Sequence, residues 1–207
     1  VYPVDMHYRN WLFEHWRAVS KSFGYEEYDS AIVESESLYV RKAGDDITKE
    51  LYGFEDKGGR RVALRPEMTP TLARMIMAKR GSLAFPLRWF SIPQCFRYQR
   101  LQKGRKREHF QWNMDICGLD SVVAEVELMA AQAEFLRRVG FKVDGAHPEI
   151  QFKVSNRQIL EHYLTRLGVA SSEFAPTCII IDKRDKIGDE RTIDALVEHG
   201  LSSHQAN

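Results

Sequence analysis

With 207 residues, 43% of them hydrophobic and 29% charged, the chain has enough apolar material for one buried core, or for one domain and the start of another, and not the composition of a disordered segment. Its formal net charge of +1 excludes a polycation, so any contact with nucleic acid has to come from local clustering of charge. Cys95, Cys117 and Cys178 lie too far apart for a C-x-x-C pair or a zinc set, and no apolar run is long enough to span a bilayer.

The opening VYPVDMHYRNW has neither the regions of a signal peptide nor the Arg/Ser content of a transit peptide. The expectation is a reducing compartment, the cytoplasm or an organelle after removal of a leader, with no membrane partner. Pro3 can open a helix in which Met6, Leu12, Phe13, Trp16, Val19 and Phe23 recur at helical spacing, with Gly24 as its stop. Residues 25–34 read as a strand. LYGFED and RRVALRP flank Lys57-Gly58-Gly59 and predict a hairpin. Residues 69–80 predict a helix with Thr69 as cap and Pro70 in its first turn.

Residues 83–98, rich in aromatic and β-branched side chains, read as strand, and 109–118 as a second strand in which Gln111, Asn113 and Asp115 share one face. VVAEVELMAAQAEFLRRVG is an amphipathic helix. Residues 149–155 read as strand, 157–168 as helix, and 177–182 (TCIIID) as strand-like before a charged stretch. A helix, several strands and then helices mixed with single strands predict an α+β fold with a mostly antiparallel sheet, not a βαβ alternation.

There is no G-x-G-x-x-G, P-loop, G-x-S-x-G or H-E-x-x-H motif, so any use of ATP has to proceed without a P-loop. The informative stretch runs from Arg97 to Arg107, where Arg97, Arg100, Lys103, Arg105, Lys106 and Arg107 occur with no acid among them. In a near-neutral chain such a cluster points to a polyanion, although on composition alone a solvated hairpin tip fits equally.

FRYQRLQKGRKREHFQWNMDICG resembles motif 2 of class II aminoacyl-tRNA synthetases, and specifically the histidyl form. Leu64-Arg65-Pro66-Glu67-Met68-Thr69-Pro70 resembles that family's R-P-E-x-T segment, and VSNRQIL and IIIDKRDKI are similar to further family segments. The resemblance covers nearly the whole chain and implies a class II catalytic domain over about 1–168, with motif 1 at about 6–34 and motif 2 at about 95–118. A family insertion would begin at about 169. Motif 3, the R-G-x-D-Y-Y segment and the anticodon-binding region have no counterpart among the 207 residues, which implies that these residues alone form no adenylate at a useful rate.

Carried over by position, the resemblance makes Arg97 the residue that binds the α-phosphate and the amino-acid carboxylate, and the catalytic group. Gln99, Arg105 and His109 join it in holding ATP. Glu67 and Thr69 receive the substrate's α-amino group, Gln111 contacts the bound histidine, and Asp115 faces its imidazole. Each position also has an ordinary reading: Glu67 can offset the positive end of a helix, Thr69 can cap it, and Gln111 and Asp115 can be a polar strand face. The sequence departs from the family pattern at Gln99 (usually Glu, reading the adenine amino group), His109 (usually Phe, stacking on adenine), Asp115 (Glu in bacterial forms) and Ala31 (usually Pro). The implied reaction joins histidine and ATP into histidyl-adenylate, with Mg²⁺ on the phosphates, and transfers the histidine to tRNA(His), in a homodimer built through motif 1. The alternative is a non-catalytic regulatory or tRNA-sensing relative on the same fold.

Overall fold

The structure is a computed structural model that describes residues 1–40, 49–100 and 102–203. The chain divides into two compact units, Val1–Ile150 and Gln151–Asn207. The helix at 157–166 belongs to the second unit.

The first unit opens on α1 (Pro3–Ser22), followed by β1 (Glu26–Glu27), β2 (Val33–Ser35), α2 (Glu36–Val40), β3 (Tyr52–Glu55) and β4 (Arg61–Leu64). Then come α3 (Thr69–Lys79), a 3₁₀ turn (Arg80–Ser82), β5 (Leu87–Ser91), β6 (Gln94–Phe96), β7 (Glu108–Phe110), β8 (Asn113–Cys117) and α4 (Val122–Arg138). The strands form three small sheets, ordered β1-β5-β8, β2-β4-β3 and β6-β7. All pairings are antiparallel except β1 with β5. The expected α+β architecture, mostly antiparallel, is the one observed.

Local chemistry accounts for most of these elements. The β3–β4 hairpin turns where the Asp56 carboxylate accepts from the amides of Gly58 and Arg60 at 2.8 and 3.0 Å, with Gly59 at φ +75°. Ser121 caps α4 by accepting from the Val123 amide. α1 packs on α4 through an aromatic cluster that also takes in the β7–β8 segment. Trp16 stacks on Trp112 at 5.9 Å, Phe13 meets Phe110 edge-on at 5.0 Å, and Phe135 meets Trp112 edge-on at 5.4 Å. Phe90, Met68, Val19 and Cys95 fill the fully buried centre.

Several sequence expectations are corrected. Residues 25–34 are two strands in different sheets, because the turn between them is held by Arg65, which bonds Asp29 and the Ser30 carbonyl. The strand read at 83–98 is broken by its prolines: the Phe85–Pro86 bond is cis, and Pro93 separates β5 from β6. The strand read at 109–118 is interrupted at Gln111 and Trp112. Thr69 is not a cap. It is the first residue of α3, after Met68, and makes no capping bond.

The second unit contains α5 (Arg157–Arg166), a 3₁₀ turn (Ser171–Glu173), α6 (Phe174–Ile181), α7 (Arg184–Ile187) and α8 (Asp189–Glu198). The strand-like TCIIID lies mostly within α6, whose Thr177 and Cys178 are buried. Burial of one face outweighs the β-branched preference of the run. Residues 151–155 carry no strand, contrary to expectation.

Candidate active site

Glu67 owes its position to its neighbour Arg65. That guanidinium is buried at 2% exposure and donates from Nε to the Gln94 carbonyl at 2.9 Å and from Nη1 to Asp29 Oδ1 at 2.8 Å and the Ser30 carbonyl at 2.9 Å. The Arg65 carbonyl in turn accepts from the Phe96 amide at 2.9 Å. The turn through Pro66 is thus clamped between the end of β4 and β6. Arg97 grips it from the other side, its Nε donating to the Pro66 carbonyl at 3.0 Å. Among the described residues, the terminal nitrogens of Arg97 have no hydrogen bond or ion pair, which leaves them available to an anion.

Glu67 and Thr69 face Gln111, Trp112, Asn113, Met114 and Asp115 across a cavity of about 320 Å³, whose other wall is Leu128 and Gln132 of α4. All four residues expected to hold the amino acid beside Arg97 therefore line one cavity. Trp112 is fixed there by its ring contacts and by Nε1, which donates to Ser20 Oγ at 2.9 Å. Asp115 lies opposite Trp89 in the β5–β8 register, and burial raises its pKa above the ordinary carboxylate range.

A larger cavity, about 800 Å³, lies over β2, α2 and β4. Its acids are already neutralised: Glu36 by Arg61, Asp56 by Arg60 and Glu34 by Arg74, at 2.6 to 2.8 Å. It therefore offers a ligand little uncommitted charge.

The residues expected to hold ATP lie outside the smaller cavity's lining. His109, on β7, is joined to it through Gln111, with Gln111 Nε2 3.3 Å from His109 Nε2. Burial, and then the nearby Arg97 cation, lower the His109 pKa. Gln99 donates from Nε2 to Glu50 Oε2 at 2.6 Å, and Glu50 is itself held where its carbonyl accepts from the Tyr98 amide at 2.7 Å. Arg105 follows the turn at Gly104, whose φ is +79°. Its amide donates to the Gln102 carbonyl at 3.0 Å, and its side chain is exposed. Arg107 sits over the Tyr98 ring at 4.1 Å.

Arg65, Glu50, Cys95, Trp112, Leu128 and Gln132 were missed in the sequence. Arg65 sat inside the quoted R-P-E-x-T segment and Trp112 beside Gln111, so each had a signal. Glu50, far along the chain from Gln99, had none.

The family model for histidyl-tRNA synthetase matches residues 1–204. The chain belongs to the histidyl-tRNA synthetase family. It is 50% identical over 97% of its length to the chloroplastic/mitochondrial histidine–tRNA ligase of Arabidopsis thaliana, of which it covers 40%. It is 40% identical over 91% of its length to the histidine–tRNA ligase of Opitutus terrae, of which it covers 42%. The chain thus spans less than half the length of these relatives. In fold it matches histidyl-tRNA synthetase from Nostoc sp. PCC 7120 with a TM-score of 0.80 at 22% identity, over 97% of this chain and 43% of that one. It also matches a protein described as an ATP phosphoribosyltransferase regulatory subunit/histidyl-tRNA synthetase from Bacillus halodurans C, with a TM-score of 0.72 at 18% identity, over 94% of this chain and 48% of that one. The class II synthetase fold expected from the motifs is therefore the fold of the chain, and no helix among the described residues is long and apolar enough to cross a membrane.

Proposed function

We propose that this chain supplies the histidine- and ATP-binding part of a histidine–tRNA ligase. The observation that carries the proposal is the meeting of Glu67, Thr69, Gln111 and Asp115 around one cavity, beside an Arg97 whose terminal nitrogens have no partner among the described residues, in a chain of this family. Glu67 and Thr69 would receive the substrate's α-amino group, Gln111 would contact the bound histidine, and Asp115 would accept the imidazole N–H.

The histidine carboxylate is ionised at neutral pH and attacks the α-phosphorus directly, so neither a general base nor a protein nucleophile is required. The chain's contribution is positioning, together with stabilisation of the charge that develops on the α-phosphate, where Arg97 acts. Arg105 would hold the outer phosphates. The Gln99 amide has its N–H on Glu50, and its oxygen, without a partner among the described residues, would accept from the adenine amino group. In the second half-reaction the 3′ end of tRNA(His) takes the histidine.

Among the described residues, no group of three or more His, Cys, Asp or Glu side chains forms a metal-holding cluster. In this proposal Mg²⁺ accompanies the nucleotide, held mainly by phosphate oxygens, and no step of this chain's residues runs through it.

Histidine-dependent exchange of pyrophosphate into ATP by the full gene product tests the proposal. Exchange that is absent, or equally strong with other amino acids, would overturn it. The Bacillus halodurans likeness supports a second reading, a non-catalytic regulatory relative, which predicts histidine binding without exchange. Of the two compartments open to the sequence, the name of the Arabidopsis relative favours an organelle, which localisation of a tagged full-length protein would check.

A further inference from the structure

The side-chain amide of Gln111 is held at both ends by two residues, Cys95 and His109, that lie outside the cavity's lining. Its oxygen accepts from the thiol of Cys95 at 3.6 Å, and its nitrogen lies 3.3 Å from Nε2 of His109. The three residues come from two paired strands and the link beyond them: Cys95 and His109 are direct partners in the β6–β7 register, and the backbone N–H of Gln111 donates to the Pro93 carbonyl at 3.1 Å.

With Nε2 of His109 as the unprotonated ring nitrogen, one orientation of the amide satisfies both neighbours. A thiol is a donor and a poor acceptor, and a neutral imidazole nitrogen without its proton is an acceptor. The amide oxygen therefore belongs on Cys95 and the NH₂ on His109. The reverse orientation would set the NH₂ against sulfur. Cys95 is fully buried, and burial pushes its thiol pKa up to about 11, so it stays protonated and able to donate. Its other acceptor, the Pro93 carbonyl, is more distant at 4.0 Å. Burial, and then the nearby Arg97 cation, lower the His109 pKa and so favour the neutral ring that can accept.

We propose that His109 and Cys95 are positioning residues for Gln111, fixing which end of its amide meets the amino-acid substrate. With one lone pair committed to the thiol and one N–H to the imidazole, Gln111 presents a defined second lone pair and second N–H to the cavity. The inference rests on the reading of Gln111 as a contact of the bound amino acid. It assigns His109 to the amino-acid side of the site, whereas a ring that serves only as an adenine platform would act on ATP alone. A histidine at this position then has a use that phenylalanine lacks.

The two roles separate in a pair of variants of the full gene product, assayed by pyrophosphate exchange. His109→Phe keeps an aromatic face and removes the acceptor. The KM for histidine should rise about three- to tenfold, the effect of losing one hydrogen bond, while the KM for ATP stays level or falls. His109→Gln, which places an oxygen near the former Nε2, should restore the histidine KM. A Phe variant that leaves the histidine KM in place, or a Gln variant that fails to restore it, overturns the proposal.

A second measurement needs no substrate. In ¹⁵N NMR of the wild-type protein, His109 should carry its proton on Nδ1, with Nε2 unprotonated, and the Nε2 signal should move in Gln111→Leu. A protonated Nε2 overturns the positioning role even if the enzyme is active. The expected tautomer in a protein without histidine-dependent exchange would uphold the relay and overturn the functional reading alone.

Discussion

Arg97 donates from Nε to the carbonyl oxygen of Pro66 at 3.0 Å, so the guanidinium proposed to meet the α-phosphate is bonded to the residue next to Glu67, which is proposed to meet the α-amino group. The charge that Arg97 would face grows in the transition state, and its loss should fall on the rate. Arg97→Ala is expected to slow adenylate formation by about 100- to 1,000-fold. Histidine affinity should drop far less, as measured by pyrophosphate exchange against calorimetry. Equal losses in both would make Arg97 a binding group only.

Asp115 has a raised pKa from burial, which sets binding against stability. A carboxyl whose folded pKa lies above its unfolded value favours the folded state below the unfolded pKa and loses that advantage as pH rises through the folded pKa. At neutral pH the charged Asp115 therefore costs stability. Asp115→Asn should raise the melting temperature at pH 7, with the gap narrowing as pH falls towards 4. It should also weaken histidine binding by about 1–3 kcal/mol, roughly 5- to 150-fold. Calorimetry together with thermal melts at two pH values checks both signs, and unchanged affinity would remove Asp115 from the site.

Glu50 accepts from Gln99 at 2.6 Å and so orients its amide. Glu50→Ala should let that amide rotate and raise the KM for ATP by about two- to tenfold, the range for one polar contact. The KM for histidine should stay within a factor of about two. A shift in the histidine KM instead would place Glu50 elsewhere in the mechanism.

Arg65 is buried, whereas its partner Asp29 is mostly exposed. Arg65→Met would leave the carbonyls of Gln94 and Ser30 without their donor, at a cost of about 2–4 kcal/mol in urea unfolding. Asp29→Ala takes the counter-ion from a buried cation but leaves it both carbonyl acceptors, with water able to enter at the exposed Asp29 position, so it should cost less. The reverse order would show that the ion pair outweighs the bonds to carbonyls.

The motif 1 resemblance of α1 and residues 25–34 makes the full gene product an expected two-fold dimer. Light scattering at micromolar concentration checks this, and a monomer would refute it.

The helices α1, α3 and α4 and the β3–β4 hairpin were legible in the chain alone, as was the set Glu67, Thr69, Gln111 and Asp115 that the fold brings to one cavity, because helical periodicity, glycine turns and motif spacing are local properties. The division of residues 25–34 between two sheets, the helical state of TCIIID, the clamp of Arg65 on Asp29, and the pairing of Gln99 with Glu50 were decided only in three dimensions. Each depends on groups far apart in sequence that meet because the fold brings them together. His109 illustrates the boundary. Its place in the motif was readable, but its bond to Gln111 depends on the strand ending at Phe110, a break that the run 109–118 does not announce.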